Sequence, residues 1–330
     1  MTQYLIKRLL AAIPTLLIVS IGIFGLVRLI PGDVVMARIA QGGSGAGGSV
    51  NDAMIERTRA ELGLDRPFLE QYADWLAGAV RGDLGNSLIT GVPVSETLLE
   101  RLPVTIEIVI LAMTLSMLLA IPLGIISAVN QDKPADYAAR LFTVFGLSIP
   151  DFVIGTVTIL FLTFYLDDAT FGLFDSWLPP LGWYPPWEDP WTNFQALSIP
   201  VVILAYRSSA VSARMMRSTM LEVLREDYIR TARAKGVTER AVVFRHALRN
   251  SVIPVLTIMG AQTSFLFGGS VIVEQIFRIP GMGQWTLDSV GQRDYTAVQG
   301  AVLMMAVVFI VVNLAVDLMY GMIDPRIRYS

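Results

Sequence analysis

An all-α integral membrane protein with six transmembrane helices is the fold class this sequence predicts. Three observations predict it. Six apolar segments are each long enough to cross a bilayer, which takes about 20 helical residues. Charged residues make up only 16% of the 330-residue chain, against about 25% in soluble domains. Basic connections alternate with acidic or mixed ones between the apolar segments, the asymmetry that fixes membrane orientation.

The first span covers 9–30, behind Lys7 and Arg8. A secretory signal peptide shares that charged-then-apolar start. This run is long for one, and no small-x-small cleavage site follows closely. The stretch 31–103 reads as a helical insertion on the outer side. It opens on a Gly-rich patch, GGSGAGG at 42–48, a flexible composition. In AMIERTRAELGLDRPFLEQYADWLAGAV, Ile55, Leu62, Leu69, Tyr72, Leu76 and Val80 recur at near-helical spacing, interrupted at Gly63 and Pro67. Two short amphipathic helices are expected there.

The remaining spans are 104–129, 141–166, 197–213, 252–273 and 297–321, the fourth span being the shortest. The connection 130–140 carries Lys133 and Arg140, 214–249 holds nine Lys or Arg against four acids, and the tail has Arg326 and Arg328. By contrast, 167–196 has five acids and no Lys or Arg. Both termini and the basic connection are therefore expected in the cytoplasm. The outer segment WLPPLGWYPPWEDPW predicts irregular structure. Trp177, Trp183, Trp187 and Trp191 read as interfacial anchors, with a ring platform for a sugar as the second reading.

Several chemistries are excluded. No G-x-x-x-x-G-K-[ST] occurs, so the chain has no P-loop for ATP. Cysteine is absent and His246 is the single histidine, which leaves no thiolate nucleophile and too few ligands for a zinc protease. A Ser/His pair would have to use His246 in the basic connection, an implausible place for one. Inside the spans, Arg207 lies roughly 15 Å deep at 1.5 Å per residue. A cation at that depth faces protein or water. It can line a pathway, pair with an acid of a partner subunit, or mark a misplaced span boundary. Glu107 and Asp317 near span ends read as structural. Asn313 and Asp317 share a helix face suited to a neighbouring helix.

The passage DYIRTARAKGVTERAVVFRHALRN, 227–250, poses the functional question. Taken as helix, turn and helix over 216–253, it has Leu221, Leu224, Tyr228 and Ala232 at helical spacing. Val242, Phe244, Ala247 and Leu248 follow less regularly. Gly236 stands where a helix would end in a left-handed residue. Ala232 and Ala234 would let another surface approach. Periodicity alone leaves two readings open: a basic loop lying on anionic lipid, or a docking element for a cytoplasmic partner.

RTARAKGVTERAVVFRHALRNSVIPV resembles the cytoplasmic loop of permease subunits of ATP-binding-cassette importers, nearest the first permease of the dipeptide and oligopeptide family. YLIKRLLAAIPTLLIVSIGIFGLVRLIPGD, VIVEQIFRIPGMGQW followed by RDY, and NLAVDLMYGMIDPRIRY resemble that family's other marked segments. These stretches bracket nearly the whole chain.

The resemblance implies the type I importer permease fold in a prokaryotic inner membrane. It divides the chain into 1–30, the insertion 31–103, and a five-helix core 104–330 with a coupling loop at 214–250. It implies a second homologous permease, two ATPase subunits that carry ATP and Mg, an external solute-binding protein, surrounding lipid, and no nucleic acid. The chain itself would be non-catalytic and hold no cofactor. ATPase-coupling roles pass to Asp227, Tyr228, Arg230, Thr231, Ala232, Ala234, Lys235 and Gly236, with His246 and Arg249 in support. Glu274, in VIVEQIF, takes an outer-gate role. The general importer signature begins Glu-Ala-Ala, where this chain has Arg230, Thr231 and Ala232.

The implied cargo is a di- or oligopeptide, with oligosaccharides or metal chelates as the alternative. A stand-alone secondary transporter would predict inverted repeats, and none is legible. A membrane scaffold would not need Arg207.

Overall fold

The computed structural model describes residues 2–29, 35–36, 39, 52–61, 64–166 and 179–323. The patch 42–48, Leu62, Gly63, Trp177, Arg326 and Arg328 lie outside the described residues, as do the side chains of Lys7 and Asp317. The described chain is helical, with one isolated bridge, Asn86 to Pro93.

The helices are α1 (Thr2–Leu29), α2 (Asp52–Glu61), α3 (Phe68–Val80), α4 (Val94–Val129), α5 (Pro134–Ser148), α6 (Asp151–Phe164), α7 (Pro190–Val223) and α8 (Asp227–Ala234). They continue with α9 (Leu248–Phe277), α10 (Met282–Gln292) and α11 (Tyr295–Ile323). A single turn, Glu239–Ala241, and a π-turn, Val242–Ala247, lead into α9.

Among the described residues, three helices are long and apolar enough to cross a membrane: α4, α7 and α11. The number rises to five if each of two bent pairs makes one span. The described apolar stretch of α1 is the shorter Leu10–Leu26.

One bent pair corrects the sequence reading. The segment 141–166 is not one straight span: α5 and α6 meet at 97°. Ile149 is extended (φ −99°, ψ 122°) because the ring of Pro150 disfavours the helical region for the residue before it. The short fourth span is also corrected. It lies inside the 34-residue α7, whose helix starts at Pro190, within the segment expected to be irregular. Asp189 caps that start, accepting from Thr192 N at 3.0 Å and Thr192 Oγ1 at 2.6 Å, with Pro190 at the first helical position.

The chain forms two compact units. The first comprises Met1–Val104 and Gly281–Val311. Phe24 of α1 is buried among Phe68, Tyr72 and Trp75 of α3, with ring centroids 5.3–5.6 Å apart. Ser20 and Tyr72 share a 2.8 Å hydrogen bond. Edge-on aromatic pairs of this kind add about 0.5–1.5 kcal/mol beyond burial. The two helices expected in the insertion appear as α2 and α3, the second beginning after Pro67. A second core gathers Leu84, Val94, Leu98, Met282, Ala297 and Ala301. Asp294, from the RDY motif, caps α11: its carboxylate accepts from Ala297 N and Leu88 N, both at 3.1 Å, and from Ser87 Oγ.

The second unit comprises Thr105–Pro280 and Val312–Ser330. Its centre is α7, against which α4, α5, α6 and α9 pack. Gly124 of α4 permits that approach, since a Cβ there would stand 2.5 Å from Met216 Cβ. The core at one end of α7 joins Ile125, Met216, Met220, Ile229, Val242, Val243, Ala247 and Val255. This cluster positions the basic passage.

Candidate functional site

The passage 216–253 is not one helix, turn and helix. α7 ends at Val223, and α8 starts afresh at Asp227. Leu221 and Leu224 therefore do not share a helix with Tyr228 and Ala232. α8 is eight residues long and marginal by itself, because isolated helices under about 12–15 residues are unstable in water. Tertiary contacts hold it.

Ile229 is fully buried, and Ala232 and Val237 are half-buried against the same cluster. Burying an Ile side chain stabilises by about 1.5–3 kcal/mol. Tyr228 Oη accepts a 2.8 Å hydrogen bond from Asn250 Nδ2. Arg233 makes a two-pronged contact with Glu239, at 2.6 and 3.1 Å, across the following turn. That pair raises the Arg233 pKa and lowers that of Glu239, in each case chiefly through the shared hydrogen bonds.

The helix stops in a Schellman motif. Val237 N donates to Ala232 O at 3.2 Å and Gly236 N to Arg233 O at 2.9 Å, with Gly236 at φ +76°. Gly236 thus has the left-handed geometry its sequence position predicts.

The other face of α8 is exposed. Asp227, Tyr228, Arg230, Thr231, Ala234 and Lys235 share it with the turn at Gly236. Ala232 does not: it packs inward, so its small size serves this chain's own core. The Arg230–Asp227 contact at 3.3 Å is solvent-exposed and counts for little. Arg249 is exposed, whereas His246 is half-buried in the π-turn.

Three residues in this arrangement escape sequence reasoning. Ile229 is the one large aliphatic in DYIRTARA, a signal that could have marked it as the anchor. Arg233 and Glu239 carry no local signal, because their pairing depends on the turn between them.

A second assembly lies where α4, α5 and α7 meet. Asp136 is buried and accepts from Arg217 Nε and Nη2 at 2.8 and 2.9 Å, and from Arg140 Nε and Nη2 at 3.1 and 2.6 Å. Ser127 Oγ of α4 and Asp132 N complete its shell. Every acceptor direction of this carboxylate is used, the condition under which a buried charge is tolerated.

Arg207 sits on a wall of a cavity of about 530 Å³ between α6, α7 and α9. Its guanidinium lies 3.6 Å from Asp151 Oδ2 of this same chain. The structure thus supplies an intramolecular partner where a partner subunit's acid was one of the expectations. Glu274 is fully buried and accepts from Thr105 Oγ1 at 2.8 Å. Its carboxylate ties α9 to α4. Trp183 donates to Glu107 Oε2 at 2.7 Å and is half-buried, while Trp187 and Trp191 are exposed.

Among the described residues, no group of three or more His, Asp or Glu side chains could hold a metal ion. The geometry offers instead a surface helix anchored to two long helices, and a largely apolar cavity between those helices with Arg207 and Asp151 on its wall. Comparison with known proteins gives the family. Residues 120–329 match the model of the binding-protein-dependent transport system inner membrane component, and residues 1–112 match that family's N-terminal model.

The chain is 40% identical over all 330 residues, with full coverage of both chains, to the glutathione transport system permease protein GsiC of Pectobacterium atrosepticum. It is 39% identical at the same coverage to GsiC of Escherichia coli K12. It is 38% identical, again over both full lengths, to a putative peptide transport system permease protein of Brucella abortus. Among solved structures, the MetNI methionine ABC transporter in an inward-facing conformation matches with a TM-score of 0.54 at 16% identity. That match covers 69% of this chain and 96% of the other, and shows the fold. The chain belongs to the binding-protein-dependent transport system inner membrane components, the non-catalytic permease subunits of ATP-binding-cassette importers.

Proposed function

We propose that this chain forms half of the translocation pathway of an ATP-driven importer of small peptides. It pairs with a second homologous permease. Two ATPase subunits bind ATP and Mg on the cytoplasmic side, and a solute-binding protein delivers cargo from outside. Both termini and the loop 214–250 face the cytoplasm. α1, the two bent pairs and the three long helices make six spans.

The observation that carries this reading is α8. Its inner face is fixed by Ile229 to Met216 and Met220 of α7 and to Val242, Val243 and Ala247, while its outer face is polar and exposed. A push on that face is transmitted into α7 and α9, because packed interiors deform little. Nucleotide-driven closure of the ATPases would thereby tilt the helices that wall the cavity, a rigid-body transition between inward- and outward-open states. The relatives named for glutathione and peptide transport support peptide cargo.

The test is made on the assembled complex in nanodiscs. Charge reversal on the outer face, Asp227→Arg with Lys235→Glu, should leave the subunits co-purifying. It should reduce stimulation of ATP hydrolysis by the binding protein at least tenfold. Full stimulation in that variant would place the coupling surface elsewhere.

A further inference from the structure

Beside the buried Asp136, a cavity of about 370 Å³ opens between α4, α5 and α7. We propose that it holds the headgroup phosphate of an anionic phospholipid of the inner leaflet, with the start of an acyl chain against its apolar wall. From the importer reading above it takes only that this end of the helices faces the cytoplasm.

The charge around the cavity comes first. Arg140, Arg214 and Arg217 line it, and among the described residues no acid does. A guanidinium donates through Nε, Nη1 and Nη2. Asp136 and Asp132 accept from Nε and Nη2 of Arg140, and Asp136 accepts from Nε and Nη2 of Arg217. Nη1 of both arginines has no partner among the described residues. Arg214 is exposed and makes no hydrogen bond or ion pair among the described residues. Positive charge is therefore in excess over the two carboxylates, and the free guanidinium edges suit phosphate oxygens.

The depth of the cavity points the same way. Its arginines stand just outside the apolar segments: Arg140 immediately before 141–166, Arg214 and Arg217 just after 197–213. Leu123, Val144 and Ala213 lie inside the apolar segments and form the rest of the wall. On α4, Leu123 is one helical turn, about 6 Å, further into the membrane than Ser127. A phospholipid has this same order, with phosphate at the interface and chains beneath it. Basic pockets between transmembrane helices on the cytoplasmic side recognise such headgroups.

The lining also discriminates. A free phosphate would use the arginines and leave the apolar wall bare. A zwitterionic headgroup would bring its ammonium to a lining that offers no carboxylate. Val144 is 57% exposed although it lines the cavity, so the apolar side is open to a chain arriving from the bilayer. An occupant would brace the junction next to the anchor of α8, because Ile125 and Ala128 of α4 and Met216 of α7 belong to that anchor cluster.

The experiment uses the full complex, stripped of lipid in mild detergent. It is titrated with phosphatidylglycerol, with phosphatidylcholine of the same chains, and with glycerol phosphate, the headgroup without chains. Native mass spectrometry counts the bound lipid, and the thermal midpoint reports its stabilisation by mass action. Phosphatidylglycerol should bind about tenfold more tightly than phosphatidylcholine, the scale of one hydrogen bond to a charged group. Glycerol phosphate should bind far more weakly than either the lipid or its variant-resistant fraction. Arg214→Ala should lose the preference and still fold, because Arg214 holds no other group in place. The difference between that variant and the unaltered chain isolates this cavity from other lipid contacts. Val144→Trp, which fills the open wall, should weaken the lipid without removing an arginine.

Equal binding of the two lipids, or a preference unchanged in both variants, overturns the site. Glycerol phosphate binding as tightly as phosphatidylglycerol overturns it in favour of a soluble anion. Loss of the second permease from the Arg214→Ala complex would make the cavity a subunit contact and also overturn it. The readout does not use ATP hydrolysis. A preference found in a complex that never couples ATP to transport supports the site and counts against the importer reading alone.

Discussion

The carboxylate of Asp136 accepts both Nε and Nη2 of Arg217, at 2.8 and 2.9 Å, from a position 81 residues away. Arg140 approaches from its own helix, and Ser127 from α4. Three helices of the second unit are thus tied at one buried charge, and its partner Arg217 is next in sequence to Met216, whose side chain belongs to the α8 anchor cluster. Removing one partner of a buried ion pair strands the other. Asp136→Asn is therefore expected to destabilise the permease by about 3 kcal/mol, measured as a lowered thermal midpoint in detergent. A loss under about 1 kcal/mol would mean that solvent already satisfies both arginines.

Ile229 is the only fully buried residue of α8. Ile229→Ala deletes its contact with Met216 and Met220 at a cost of about 2–5 kcal/mol if the site cannot collapse. α8 is too short to survive as a helix without that contact. The expected result is fast amide hydrogen exchange confined to 227–235. Binding-protein-stimulated ATP hydrolysis should fall while basal hydrolysis persists. Slow exchange at those amides would show that the Arg233–Glu239 and Tyr228–Asn250 contacts suffice.

Gly236 separates conformation from packing. At φ +76° it is left-handed, and a Cβ there would meet nothing within 4 Å. Any cost of substitution is therefore a backbone cost, about 1–2 kcal/mol for an ordinary L-residue. Gly236→Val should loosen the end of α8 and weaken coupling. Gly236→Asn should be close to neutral, since Asn tolerates this region. Equal effects of Val and Asn in a stimulated-hydrolysis assay would refute the conformational account.

These results mark what was legible in the sequence. Gly236 was, because a left-handed stop is a local property. The bend at Ile149 was legible in principle, since Pro150 forces it, but an unbroken apolar run concealed it. The gap between α7 and α8 carries no Gly or Pro at Leu224–Glu226, so periodicity ran straight across it. Asp136 with Arg217, Thr105 with Glu274, and Asp151 with Arg207 are tertiary pairings. Single-sequence reasoning flags such charges as costly but cannot name their partners.

The Arg233–Glu239 pair makes the turn after α8 sensitive to acid. Hydrogen bonds from Arg233 hold the Glu239 pKa below its ordinary value of 4.5. A group whose folded pKa is depressed contributes stability above its unfolded value and loses it as pH falls through the folded value. The bridge is thus intact at neutral pH and gives way in the range below about 4.5. Both side chains are substantially exposed, at 40% and 59%, so salt screens part of the effect. Protection of the 233–239 amides from hydrogen exchange should decline on acidification below that range, and less steeply at high ionic strength. Glu239→Gln should start from lower protection and show no decline of its own. An unaltered acid decline in Glu239→Gln would transfer the titration to another carboxylate.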